Sequence, residues 1–185
     1  MKIVVGVSGA SGILYAVRLL QVLNSLAVEV HLVVSEWAVR NLALETDRRM
    51  EDLAALAARC YTNSELDAPI SSGSFRTEGM IVVPCSMKSL AAIAHGYGDS
   101  LLVRAADVTL KEKRKLVLVP RETPLSTIHL ANMLAVAQAG ALIMPPMPAF
   151  YNRPQTIDDI IDHTVARVLD HFGLENGLTQ RWGMQ

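Results

Sequence analysis

Short apolar runs alternate with longer segments of helical periodicity along most of the chain. Four of these runs are rich in β-branched residues and nearly continuously apolar, which is typical of buried parallel strands: Lys2–Ser8, Val28–Ser35, Gly79–Pro84 and Lys115–Pro120. The periodic segments predict helices over residues 12–27, 36–46, 86–95, 100–111, 125–139 and 156–172. Alternating strands and helices predict an α/β fold, a three-layer αβα sandwich with a Rossmann-like (flavodoxin-like), mostly parallel sheet.

The remaining segments complete this plan. The alanine-rich segment Asp47–Tyr61 predicts another helix, and the polar segment Thr62–Thr77 predicts a long loop. Ala141–Met144 predicts a short strand, which a stiff proline-rich loop follows. A chain of 185 residues without repeats favours a single domain over residues 1–185.

Composition and charge narrow the function classes. The net charge of −1 gives no global field that would recruit nucleic acid or an anionic membrane. No apolar run approaches the length that spans a bilayer, and the N-terminus reads as a strand rather than a signal peptide, so a cytoplasmic protein is expected. Two cysteines without a CxxC pair and five scattered histidines predict no metal site.

A glycine-rich turn follows the first predicted strand. Its spacing is Gly6-x-x-Gly9-x-x-Gly12, and backbone N–H groups in such a turn can cradle a phosphate, although a tight turn without a ligand is the alternative. The spacing differs from the dinucleotide pattern G-x-G-x-x-G. A dinucleotide site has an acidic residue at the end of the second strand, and Ser35 occupies that position here, so a mononucleotide such as FMN fits better. Because Glu36 follows directly, NAD remains an alternative ligand.

A second candidate anion site runs from Lys111 to Pro124. Lys111 and Arg104 lie about two turns apart on one helix face and could act together. Arg121 offers a planar fork for phosphate, and Glu122 beside it could fix that fork or move a proton. Two phosphorylated ligands in one crevice favour a transferase.

The other basic residues of this run have a simpler interpretation. Lys113, Arg114 and Lys115 are expected to form the solvated end of a helix.

The junction Pro84–Ser89 is a further strand-to-helix turn. Its Ser86 and Ser89 could bind a phosphate or a flavin edge, and Cys85 is expected to be a buried, inert thiol. Ligands of parallel sheets bind beyond the carboxyl ends of the strands. Four candidate elements are therefore expected at one edge: Ser8–Gly12, Ser35, Pro84–Lys88 and Pro120–Thr123.

Three features near the C-terminus are weaker signals. Tyr151 and Arg167 are, taken singly, of types common on surfaces. Trp182 in a loose tail suggests a subunit contact or a lid over a site. Earlier in the chain, His129 on an otherwise apolar helix is expected to be a packing residue rather than a base.

A set of motifs, taken in order, resembles the UbiX family of flavin prenyltransferases, including the phenolic-acid (Pad-type) partners. The resemblance covers essentially the whole chain. The motifs are Gly9-Ala10-Ser11-Gly12, Glu45-Thr46-Asp47, Pro84-Cys85-Ser86, Arg104-Ala105-Ala106-Asp107-Val108, Leu110-Lys111-Glu112, Pro120-Arg121-Glu122-Thr123-Pro124, His129-Leu130-x-Asn132-Met133-Leu134, Phe150-Tyr151 and Arg181-Trp182-Gly183.

The resemblance implies a reaction and an assembly. Reduced FMN and dimethylallyl monophosphate would give prenylated FMN and phosphate, without a metal. The product would serve a UbiD-type decarboxylase, and the subunit would assemble into a dodecamer.

The resemblance also implies site residues. FMN would contact Gly9, Ala10, Ser11, Ser35, Ser86, Met87, Lys88, Ser89 and Arg121. Tyr151 and Arg167 would bind the prenyl phosphate, with Lys111 and Arg104 nearby. The catalytic candidates are Ser11 and Glu122 for proton handling, Lys111 for charge stabilisation, and Trp182 for shielding an allylic cation, from the same or a neighbouring subunit.

Two alternatives share the fold. A flavin-dependent cysteine decarboxylase would carry Pro-Ala-Ser-Ala-Asn-Thr where this chain has Pro84-Cys85-Ser86-Met87-Lys88-Ser89. A non-catalytic FMN carrier would need only the first phosphate site. Within the UbiX-like pattern, Met87-Lys88 occupies positions where smaller residues are commoner. The sequence has no acidic motif of the kind that binds magnesium, which favours a monophosphate over a diphosphate donor.

Overall fold

The computed structural model describes residues 1–183, and six parallel strands form one sheet in the order β3-β2-β1-β4-β5-β6. Every strand pairing in this described part of the chain is parallel. The strands are β1 (Lys2–Val7), β2 (Glu29–Val34), β3 (Arg59–Thr62), β4 (Gly79–Cys85), β5 (Lys115–Pro120) and β6 (Leu142–Ile143).

Helices connect the strands, as the periodicity predicts. They are α1 (Ile13–Ser25), α2 (Glu36–Glu45), α3 (Met50–Ala54), α4 (Met87–Ala94), α5 (Leu101–Lys111), α6 (Thr127–Gln138) and α7 (Ile157–Asp170), with a 3₁₀ turn at Pro69–Ser71. The α/β fold with a parallel sheet is confirmed.

The segment 47–61 differs from the prediction of a continuous helix. Only the five residues of α3 are α-helical, and the chain then extends into β3, whose residues pair with β2 from His31 opposite Arg59 to Val34 opposite Thr62. Alanine propensity favours a helix locally, but the hydrogen bonds offered by the edge of β2 outweigh it.

The sheet is buried because helices cover it from both sides. In β1 and β4, Ile3, Val5, Met80 and Ile81 have no exposed surface. The sequences of such strands are continuously apolar and do not alternate between apolar and polar residues, because neither face of the sheet is exposed to water.

The direction of the crossovers reverses at β1. The chain moves outward from β1 to β2 and β3, then returns to β4 on the other side of β1 and continues outward to β5 and β6. Right-handed crossovers place the connecting helices on opposite faces of the sheet for the two directions, which opens a crevice between the carboxyl ends of β1 and β4.

The chain divides into two compact units, residues 1–145 and 146–185. The first holds the sheet and helices α1 to α6, and the second holds α7, which begins at a capping box formed by Thr156 and Asp159. The single domain over residues 1–185 stays a prediction. Within residues 1–183 no helix combines the length and the apolar character needed to span a membrane.

Candidate functional site

Ser8 joins the two strands that border the crevice. Ser8 is 1% exposed, and its hydroxyl donates to the Pro84 carbonyl oxygen at 2.9 Å. Ser8 Oγ also accepts from the Ser86 backbone N–H at 2.7 Å. One hydroxyl therefore fixes the end of β1 to the start of α4.

The glycine turn needs its glycines for two separate reasons. A Cβ at Gly9 would overlap the Cβ of Trp37, so the backbone can pass beneath this tryptophan only without a side chain. Gly12 has φ +107°, a conformation that favours glycine, just before α1 begins.

Glu45 occupies part of the cradle that the sequence assigned to phosphate. Its Oε2 accepts from the backbone N–H groups of Gly12 at 2.9 Å and Ile13 at 3.0 Å. Two donors at the start of α1 are thus already paired with a carboxylate, which suits the positive end of the helix dipole. Sequence reasoning noted Glu45 in a motif but gave it no role, because its partners lie more than 30 positions away.

A cavity of about 320 Å³ opens beside the glycine turn. Its lining combines four serine hydroxyls with one lysine and one carboxylate: Ser35, Ser86, Ser89, Ser100, Lys88 and Asp99. Gly9 and Trp37 also line it, so the turn that precedes α1 borders the same space.

Three helices begin at this cavity. Ser35 caps α2 by accepting from the Ala38 N–H at 3.2 Å, and Ser86 caps α4 by accepting from the Ser89 N–H at 3.2 Å. Ser100 is the N-cap of α5, and within residues 1–183 its hydroxyl makes no capping hydrogen bond. Helix N-termini carry partial positive charge, so three that converge with Lys88 favour an anion such as a phosphate monoester.

Arg121 follows β5 at the same edge of the sheet. Its backbone N–H donates to the Cys85 carbonyl oxygen, and its Nε donates to the Ser11 carbonyl oxygen at 3.2 Å. Glu122 is exposed, and its carboxylate accepts from the Thr123 backbone N–H at 3.0 Å. The four elements expected at the carboxyl edge therefore do meet there.

Cys85 is fully buried beneath this edge. Burial raises the pKa of its thiol to about 12, so the thiolate that a nucleophile needs is not formed near neutral pH. The expectation of a buried thiol is confirmed, and the raised pKa agrees with an inert one.

Lys111 does not join the other site residues within its own chain. Helix α5 begins at the cavity, and its eleven residues carry the chain about 16 Å back toward the amino ends of the strands. There the Lys111 ammonium pairs with Glu112 at 2.6 Å. The six-residue strand β5 then separates Lys111 from Arg121 by about 20 Å, so the run 111–124 is not one anion site in a single chain.

Two arginines near this run have partners. Arg104 pairs with Asp107 at 2.8 Å and donates to the Ser71 carbonyl oxygen at 3.3 Å. Arg114 donates to the carbonyl oxygens of Gly73 at 2.6 Å and Phe75 at 2.7 Å. The expectation of a merely solvated Arg114 is wrong, because this side chain holds the long loop.

The second unit contains an aromatic corner around Tyr151. The Tyr151 hydroxyl lies 2.9 Å from His163 Nε2, and the ring centroids of Tyr151 and Trp182 are 5.2 Å apart in a T-shaped arrangement. Trp182 is 80% exposed, and both aromatic rings line a cavity of about 370 Å³ together with Arg181.

The charged groups of this unit centre on Asp170. Its carboxylate accepts from Arg181 at 2.6 Å and from Arg167 at 3.3 Å.

His163 has a lowered pKa. Burial, together with the positive charge of Arg167, lowers the pKa of its imidazole below the ordinary value of 6.5. Sequence reasoning missed His163, since nothing in the spacing of α7 distinguishes it.

Comparison with known proteins decides the family. Residues 1–169 match the Flavoprotein family. A protein of Escherichia coli O157:H7 described as a probable UbiX-like flavin prenyltransferase is 59% identical over 98% of this chain and 93% of its own length. The chain belongs to the UbiX-like flavin prenyltransferases.

Solved structures of UbiX-like proteins have the same fold throughout. A dodecameric FMN-dependent UbiX-like decarboxylase from Escherichia coli O157:H7 has a TM-score of 0.97 and 59% identity, and covers 98% of this chain and 99% of its own. AnUbiX (PadA1), solved in complex with FMN and dimethylallyl pyrophosphate, has a TM-score of 0.97 and 52% identity, and covers 100% of this chain and 98% of its own.

The cysteine decarboxylases share only the fold with this UbiX-like chain. The FMN-dependent cysteine decarboxylase TvaF has a TM-score of 0.64 at 14% identity, and covers 90% of this chain and 98% of its own.

Across residues 1–183 no group of three or more His, Cys, Asp or Glu side chains is arranged to hold a metal ion.

Proposed function

We propose that the protein transfers the dimethylallyl group of dimethylallyl monophosphate to reduced FMN, and that the prenylated FMN then serves a UbiD-type decarboxylase. The observation that carries this proposal is membership of the UbiX-like family at 59% identity over almost the whole chain. The cavity at the switch point of the sheet, lined by serines and Lys88, supports it independently.

The cavity fits the phosphate of FMN. Ser35, Ser86, Ser89 and Lys88 would bind the phosphate oxygens, because hydroxyls, an ammonium group and helix N-termini all favour an anion. Gly9, Ala10, Ser11 and Met87 would lie along the ring system, and Arg121 would contact it from the end of β5. When bound, reduced FMN supplies the nucleophilic N5 and C6 atoms.

The donor phosphate would be held by cationic and phenolic groups. Tyr151 and Arg167 would bind it, and Arg104 and Lys111 would add positive charge as the allylic C–O bond breaks. Because Lys111 lies near the amino ends of the strands of its own chain, it would have to reach the site of a neighbouring subunit. A dodecamer would supply such neighbours.

Protons and water would be controlled by three side chains. Ser11 and Glu122 are our candidates for accepting the proton released on ring closure. The Trp182 ring would exclude water and stabilise positive charge on the allyl group through its quadrupole. We further propose that the reaction needs no metal and takes place in the cytoplasm.

The test is an anaerobic incubation of the purified protein with reduced FMN and dimethylallyl monophosphate, followed by mass analysis of the extracted flavin. A flavin heavier by one isoprenyl unit is expected, equally with and without a chelator. A parallel reaction with the diphosphate would show which donor is used.

Two results would contradict the proposal. Unmodified FMN from protein that binds it, with both donors, would favour a passive flavin carrier. Decarboxylation of a peptide with a C-terminal cysteine, without flavin prenylation, would favour the cysteine decarboxylases that share the fold.

A further inference from the structure

The hydroxyl group of Tyr151 is held by a buried imidazole. Its oxygen lies 2.9 Å from Nε2 of His163, and the two ring centroids are 5.6 Å apart in a T-shaped arrangement. His163 is only 9% exposed, whereas Tyr151 is 45% exposed. The hydrogen bond therefore joins an interior group to a phenol ring that solvent and ligands can reach.

Tyr151 borders a cavity that suits an anion. Its ring lines the cavity of about 370 Å³ together with Arg181. Arg181 and Arg167 both pair with Asp170, and two guanidinium groups on one carboxylate leave a net positive charge. His163 is not among the described residues that line this cavity, so it can act on a ligand there only through Tyr151.

The direction of the hydrogen bond decides what Tyr151 can offer to an anion. A phenol carries one hydrogen, and a neutral imidazole carries one N–H. If Nε2 is bare, Tyr151 donates its hydrogen to His163 and presents only lone pairs to a phosphate. If Nε2 carries the hydrogen, His163 donates to the phenol oxygen, and the phenol hydrogen is left for the phosphate. A phosphate dianion has only acceptor oxygens, so it is attracted by the second arrangement alone.

Both arrangements are open to His163 because its ring is neutral near neutral pH. Burial and the charge of Arg167, four residues later on α7, lower the pKa of His163 below its ordinary value of 6.5. A dianion at Tyr151 stabilises the arrangement that gives it a hydrogen bond. In that arrangement two hydrogen bonds run in one direction, from His163 to Tyr151 and from Tyr151 to the anion, and each polarises the other.

We propose that His163 is a positioning residue for the prenyl donor, whose Nε2–H donates to the Tyr151 oxygen and turns the phenol hydrogen toward the donor phosphate. The proposal rests on the proposed function, in which Tyr151 binds that phosphate. Since His163 acts through Tyr151, its replacement should change the affinity for the donor and leave the affinity for FMN as it is.

The first test measures binding of dimethylallyl monophosphate to the protein loaded with oxidised FMN, which is not a nucleophile. His163→Phe keeps an aromatic ring but has no N–H. Calorimetry should show donor binding weakened about threefold to tenfold, with the Kd of FMN unchanged. In turnover, the KM for the donor should rise by a similar factor with little change in kcat, as expected when ground state and transition state lose the same interaction.

Two further replacements of His163 test the direction of the hydrogen bond. His163→Gln supplies an amide N–H that can donate to the phenol oxygen, so it should restore most of the donor affinity. Nδ1-methylhistidine in place of His163 keeps the ring but leaves Nε2 bare in its neutral form. At a pH of about 8, where imidazole is neutral, it should bind the donor as weakly as His163→Phe.

The matched control is Thr164→Val on the same helix. Thr164 is buried, and its hydroxyl donates to the Ile160 carbonyl oxygen at 3.3 Å, so the substitution removes a buried polar group whose hydrogen bond stays within α7. Its donor affinity should equal that of the unaltered protein. In a Tyr151→Phe background, His163→Phe should weaken donor binding no further, because the phenol through which it acts is gone.

Several results would overturn the proposal. Full donor affinity in folded His163→Phe would do so, as would full affinity with Nδ1-methylhistidine. Additive losses in the double variant, or an equal loss in Thr164→Val, would show a general effect on the second unit instead. If neither replacement folds by circular dichroism, nitrogen NMR of the unaltered protein with labelled histidine decides, and a bare Nε2 at His163 with inorganic phosphate bound would overturn the proposal.

A failure of the proposed function can be told apart from these results. If the unaltered protein does not prenylate reduced FMN, prenyl transfer fails by itself. Inorganic phosphate then replaces the donor in the same titrations, since it needs the same phenol hydrogen. Phosphate binding that His163→Phe leaves unchanged would overturn the role of His163, and binding weakened about threefold to tenfold would support it.

Discussion

The carboxylate of Glu45 accepts a hydrogen bond from the backbone N–H of Gly12 at 2.9 Å. The same oxygen accepts from Ile13 at 3.0 Å, so the end of α2 is fastened to the start of α1. Because Ser35 at the start of α2 also lines the cavity, both ends of this helix lie at the carboxyl edge. Helix α2 therefore contacts this edge at both of its ends.

Replacement of Glu45 by Ala should destabilise the protein. Two helix N–H groups would lose their acceptor, which is expected to cost about 1 kcal/mol in the free energy of unfolding. Urea unfolding would measure the loss. Glu45→Gln keeps an acceptor oxygen and should lose less, and equal losses for the two variants would contradict the hydrogen-bonding role.

Replacement of Ser8 by Ala should have a larger effect. The substitution leaves the Ser86 N–H without its acceptor in a buried setting, which is expected to cost roughly 2 kcal/mol. Since Ser86 starts α4 at the cavity, FMN binding should weaken as well. Urea unfolding and a flavin fluorescence titration would measure the two effects, and an unchanged affinity with lowered stability would separate Ser8 from the site.

Lys88 should distinguish FMN from riboflavin. Lys88→Ala removes one cation near the expected phosphate position and should weaken FMN binding about threefold to tenfold, while riboflavin binding stays the same. The side chain is exposed, so the difference should shrink as salt is added. Fluorescence titration with both flavins checks this, and equal losses would place Lys88 away from the phosphate. Lys113→Ala is the matched control.

The aromatic corner should respond to pH through His163. Burial lowers the pKa of His163 in the folded protein, so below about 6.5 the unfolded chain binds more protons than the folded one. Stability is therefore full above pH 6.5 and should fall as the pH drops through the lowered pKa.

Chemical denaturation at several pH values would show this fall, and His163→Gln should make it shallower. An imidazole NMR titration of the unaltered protein gives the direct reading. A pKa at or above 6.5 for His163 would contradict the expectation.

The sequence predicted the fold well where the structure depends on residues that are close together in the chain. Buried parallel strands such as β1 and β4 are continuously apolar, and Ser35, Ser86 and Thr156 occupy the N-cap positions that their side chains favour. Strand β3 was missed because its largely exposed residues 59–62 gain their structure from pairing with β2.

The candidate site was predicted less completely, for the same reason. Neighbours in the chain such as Lys111 and Arg121 can be separated by a strand, whereas Glu45 and Gly12 are distant in the chain and in contact. The sequence places the ends of elements at one edge, but pairings across the edge depend on the path of each helix. His163 and Tyr151 are a further pair of this kind.

The edges of the sheet have a consequence for how this chain can associate. At one border stands a strand of four residues and at the other a strand of two. So few unpaired backbone groups offer a poor template for adding a strand from another molecule, which is the usual route to fibrous aggregates. Growth of the sheet from chain to chain is thus disfavoured, and recognition between molecules is left to side chains, whose shapes can be specific.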